Sequence, residues 1–143
     1  MISVLKAPAA TLSATDVGRC GENLIAYQLE RAGVSCSVVD RRGTDIWCRS
    51  PGGVLFALEV KTATAPSNRG RGQLSYSFQV RSREIEWYAF VALDVEQVIY
   101  QHVSNLKPYV TNRIDPKSFS NRSTLYGLSR MLFLMDIPSK IAA

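Results

Sequence analysis

Two hydrophobic periods run through this chain, and the change between them divides it. From Val17 to Ala32, the residues Val17, Gly21, Leu24, Ile25 and Ala32 fall on one sector at about 100° per residue, the signature of an amphipathic helix. Ser13-Ala14-Thr15-Asp16 offers N-caps at its start, and Gly33 suits the residue just past its end. Glu22 lies at the flank of the apolar sector rather than opposite it. Beyond Gly33 the period shortens to two. Val34 to Asp40, Asp45 to Arg49 and Val54 to Lys61 read as strands, with turns at Arg41-Arg42-Gly43 and Pro51-Gly52-Gly53.

Thr62 to Gln73 reads as a loop, since it holds Pro66, Gly70 and Gly72. Leu74 to Val80 alternates apolar with Ser and Gln, which predicts a half-buried strand. Glu84 to Trp87 reads as a short turn or helix. Tyr88 to Leu93 and Gln97 to Val103 predict a hairpin through Asp94-Val95-Glu96. After Pro108 the pattern weakens: Asn112 to Thr124 is polar and basic, and Leu125 to Asp136 suits either a short helix or a last strand. The order of elements predicts an α/β fold with a central mixed sheet flanked by helices.

Length then limits the architecture. A chain of 143 residues suits one domain spanning 1–143, large enough to bury a core without disulfides or a structural metal. Its 46% hydrophobic content excludes a disordered tail, and no apolar run approaches the ~20 residues of a spanning helix. The first residues lack the charged region and long apolar core of a secretory signal, so a cytoplasmic setting is expected. Cys20, Cys36 and Cys48 show no paired spacing, which agrees with a reducing compartment. With His102 the only histidine, neither a clustered Cys/His zinc site nor a Ser-His-Asp triad is expected, and His102 reads as structural or solvated.

Charge is uneven. The formal net charge is +5, yet residues 41–83 hold eight basic and two acidic groups, while residues 84–96 hold four acidic groups and no basic one. A basic stretch suits an anionic partner. The two carboxylates inside it are Asp45 and Glu59. Strand alternation puts Glu59 and Lys61 on one face with Val60 facing away. If Pro51-Gly52-Gly53 forms a three-residue turn, Ser50 pairs with Val54 and Asp45 falls opposite Glu59. Their Cβ atoms would then lie about 5 Å apart. Two carboxylates so placed repel each other, and a hard divalent cation such as Mg²⁺ resolves the repulsion. A bare Glu-x-Lys is common by chance. Here it ends the apolar run Val54 to Leu58, follows an Asp on the preceding strand and a Gly-Glu pair on a helix, and precedes a basic loop.

Gly21-Glu22 on the first helix, Asp45, and Glu59-Val60-Lys61 together resemble the PD-(D/E)XK nuclease superfamily. The layout is similar to archaeal-type Holliday junction resolvases, restriction-like endonucleases and small intron-encoded homing endonucleases. The resemblance covers roughly residues 15–62 and departs at Thr44, where the motif has proline. It implies a restriction-endonuclease-like core and a metal-dependent endonuclease that cuts DNA to leave 5′-phosphates. It also implies Mg²⁺, with Mn²⁺ a substitute, held by Asp45, Glu59 and the Val60 carbonyl and completed by Glu22. Lys61 would orient the attacking water. A homodimer is implied because a duplex presents two strands, and phage, bacterial or archaeal hosts are the usual setting.

Arg41 and Arg42 before Asp45, and Arg69 and Arg71 in the Gly-rich loop after Lys61, are the expected DNA contacts. Arg81, Arg83, Arg113, Lys117 and Arg122 read as solvated surface. Three alternatives stay open: a junction resolvase, a nuclease-fold binding module without turnover, and an RNA substrate.

Overall fold

The computed structural model describes residues 12–41, 44–68 and 72–142. Helix α1 (Ala14–Arg31) begins where Ser13 accepts the Asp16 N–H through its side chain, with Asp16 itself in the first turn, favourable at a helix N-terminus. It ends at Gly33, whose φ of +86° is the left-handed conformation that glycine adopts without strain. Val17, Gly21, Ile25 and Leu29 form its buried stripe.

Strands β1 (Ser35–Arg41), β2 (Thr44–Arg49), β3 (Leu55–Ala63), β5 (Trp87–Ala92) and β6 (Gln97–His102) build one sheet in the order β1-β2-β3-β5-β6. Only β3 and β5 pair in parallel, so the sheet is mixed. The hairpin register matches expectation: Ile46 pairs with Leu58 and Arg49 with Leu55, and the Ser50 N–H donates to the Val54 carbonyl at 2.8 Å. The turn between β5 and β6 places Glu96 at φ 53°.

The two sheet faces are covered differently. On one, Ile46, Leu58, Ala89 and Val91 meet Ile25 and Leu29 of α1 and Leu128 and Met131 of α2 (Asn121–Ala142). On the other, Tyr88, Phe90 and Ala92 meet Tyr76, Phe78, Val80 and Phe119. That second layer is a two-stranded antiparallel ribbon of β4 (Tyr76–Gln79) and β7 (Thr111–Ile114). All six residues of β5 are buried, because both of its faces are packed.

Three sequence expectations change. The last helix runs from Asn121 rather than Leu125; the Ser120 hydroxyl accepts the Ser123 N–H and starts the helix upstream of the apolar pattern. The stretch after Pro108 contains β7, unrecognised because Thr111-Asn112-Arg113-Ile114 has too few apolar positions to show a period. Glu84 to Trp87 forms no helix, and Trp87 already belongs to β5. His102 fits its structural reading: its ring caps the Ser104 N–H, pairs with Glu86 at 3.1 Å and meets Trp87 edge-on. Cys20, Cys36 and Cys48 are free thiols. Among the described residues, no helix is long and apolar enough to cross a membrane.

Candidate active site

The site begins where β2 and β3 part. Their ladder ends at Ile46 and Leu58, and one more step of that register sets Asp45 across from Glu59. Beyond the ladder, the Val60 N–H donates to Asp45 Oδ2 at 2.7 Å. The carboxylate thus takes the place of a strand carbonyl and is held by the backbone it faces.

Glu59 and Lys61 share one face of β3. Lys61 Nζ lies 3.0 Å from Glu59 Oε1, with the Lys61 side chain 30% exposed and that of Glu59 10% exposed. Among the described residues, Glu59 Oε2 is buried and has no hydrogen-bond partner. A charged oxygen in that condition is costly, and structures seldom leave one so without a reason. Across the parallel pairing, Glu59 neighbours Tyr88. Burial, and then the Glu59 charge, hold the Tyr88 phenol above its ordinary pKa; its hydroxyl donates to the Ser82 carbonyl at 2.8 Å.

The opposite face of β3 carries Leu58, Val60 and Thr62, and α1 packs there. Gly21 approaches Thr62 so closely that a Cβ on it would fall 1.8 Å from Thr62 Oγ1. Asp45, Glu59 and Lys61 are therefore gathered on one side of the sheet, whereas Glu22, half-buried beside Gly21, starts from the helix side. Among the described residues, no group of three or more His, Cys, Asp or Glu side chains is gathered as a metal site.

Two carboxylates and the Val60 carbonyl nevertheless suit a hard cation, with water filling its remaining positions. The unpartnered Glu59 Oε2 is the feature that such an ion would satisfy. Of the expected DNA contacts, Arg42, Arg69 and Arg71 lie outside the described residues, as does the side chain of Arg41, which ends β1.

Sequence reading missed two neighbours of the site. Tyr88 reaches Glu59 through parallel pairing, which no local pattern announces. Trp47, on the face of β2 that also carries Asp45, is 49% exposed despite its size; its alternation with Ile46 and Cys48 was the available signal.

A scan against protein-family models finds no match, and a search of curated proteins finds none. Among solved structures, the bacterial homing endonuclease I-Ssp6803I is similar: TM-score 0.63 at 16% identity, covering 91% of this chain and 97% of that one. At that identity the likeness is one of fold.

Proposed function

We propose that this chain is a metal-dependent endonuclease that hydrolyses DNA phosphodiester bonds, leaving 5′-phosphates, at sequence-specific targets of the homing or restriction type. The observation that carries the reading is the Asp45–Glu59–Lys61 cluster, with one Glu59 oxygen buried and unpartnered. Its layout resembles that of the PD-(D/E)XK superfamily, which supports the reading. That the structural neighbour is itself a homing endonuclease supports the same reading.

Asp45, Glu59 and the Val60 carbonyl would hold Mg²⁺ or Mn²⁺, which when bound supplies a Lewis acid beside the scissile phosphate. The Val60 N–H holds the Asp45 carboxylate in its orientation. Lys61, partly open to solvent beside Glu59, can orient the attacking water and offset the negative charge that grows on the phosphate. Glu22 would complete the site from the middle of α1. Arg41, Arg42, Arg69 and Arg71 would neutralise backbone phosphates, which makes binding salt-dependent. A homodimer would bring one such centre to each strand.

The test is cleavage of supercoiled, linear and four-way-junction DNA with Mg²⁺. Cutting is expected, with Asp45→Ala and Lys61→Ala each slowing it at least about 100-fold. No cutting of any substrate, or undiminished cutting by both variants, overturns the reading. Strong preference for the junction would make the chain a resolvase, and tight DNA binding without turnover a silent binding module.

A further inference from the structure

The β4–β7 ribbon lies on the same side of the main sheet as Glu59 and Lys61, since Tyr88 and Phe90 neighbour those two residues and also pack against the ribbon. One ribbon face is spent on that packing: Tyr76, Phe78 and Asn112 are buried. The other face is polar. Ser77 pairs with Arg113 and Gln79 with Thr111, and Gln79 and Arg113 are exposed. Arg81 donates to Gln79 Oε1 at 3.0 Å, extending the patch. Residues 76–83 and 107–114 contain Arg81, Arg83, Lys107 and Arg113 and no carboxylate. Arg83 is braced by the Lys107 and Tyr109 carbonyls, which ties the two segments together beyond the ladder.

We propose that this ribbon enters the major groove of duplex DNA, with Gln79 and Arg113 contacting base edges. The inference rests on the endonuclease reading and adds where that enzyme reads sequence. Paired strands lie about 5 Å apart, and a B-DNA major groove about 12 Å wide admits a two-stranded ribbon. Arg and Gln are the side chains whose geometry matches guanine and adenine edges there, and Thr111 suits either. The positive charge matches the phosphate walls on both sides. Duplex RNA fits less well, because its major groove is too deep and narrow for side chains to read.

The experiment selects bound duplexes from a pool with a randomised centre, in Ca²⁺, using the full chain. Wild type is expected to enrich a defined sequence. Gln79→Ala and Arg113→Ala should each relax one or two adjacent positions and weaken binding of the enriched duplex about 5- to 100-fold. Both residues are exposed, so thermal melting should be unchanged. Methylation at guanine N7, which projects into the major groove, should block binding at the position that Arg113→Ala relaxes.

An unchanged motif and affinity in both variants overturn the proposal while leaving the endonuclease reading intact. Binding without any sequence preference overturns it together with the sequence-specific part of the endonuclease reading, and preference for duplex RNA overturns both. Failure of wild type to bind any duplex removes both readings together.

Discussion

Glu59 combines burial, charge and an unpartnered oxygen. Its carboxylate is nearly enclosed, Lys61 satisfies one oxygen, and the other has no partner among the described residues. A side chain chosen for stability alone would not leave this, so the site stores a cost that a ligand can relieve. Glu59→Gln is expected to lose cleavage yet melt no lower than wild type, since Lys61 is exposed enough for water to solvate its ammonium. Mg²⁺ should raise the melting temperature of wild type by mass action and leave that of Glu59→Gln unmoved. Scanning calorimetry with and without the ion checks both statements; an equal shift in the two proteins removes Glu59 from the metal site. Asp45 was legible because turn chemistry at Pro51-Gly52-Gly53 sets the hairpin register. Its bond to the Val60 N–H was not, because it depends on the strands parting just there.

Among the elements, α1 and β3 define the geometry of the site from behind. Gly21 sits against Thr62 with no room for a methyl group, so the helix is held close to the strand that bears Glu59 and Lys61 on its far face. Gly21→Ala should cost about 1–3 kcal/mol through overpacking. Adding Thr62→Ala should recover part of that loss, because the nearest clashing atom is the Thr62 hydroxyl. Denaturant unfolding of the single and double variants measures the coupling; strictly additive losses would show that the two residues do not share the contact. The helix itself was plain in the sequence from its stripe and its caps. Its near approach to β3 was not, since Gly21 reads equally well as any small residue in an apolar stripe.

Over the whole molecule, one sheet separates two packed layers, and three deeply placed tyrosines belong to them. Tyr76, Tyr88 and Tyr100 all have their phenol pKa raised by burial, with Asp94 adding to it at Tyr76 and Glu59 at Tyr88. A group whose folded pKa is raised stabilises the fold below its unfolded value, near 10 for tyrosine, and that stability is lost as pH climbs past it. The melting temperature should therefore hold to about pH 10 and fall steadily above it. Ultraviolet titration should show these three of the six tyrosines ionising only with unfolding. Early ionisation of all six in the folded protein would contradict the packing described.

The sequence by itself determined the helix, the hairpin and the register that sets Asp45 across from Glu59, because caps, turn residues and alternation are local signals. It also located the positive charge around that hairpin. Tertiary structure decided what no local signal encodes: the parallel pairing that brings Tyr88 beside Glu59, and the side of the sheet from which Glu22 starts. It likewise joined β4 to β7 across more than thirty residues. Those outcomes follow from which faces must be buried together. A short polar strand such as Thr111–Ile114 acquires its meaning only when a partner covers one face and leaves Arg113 on the other.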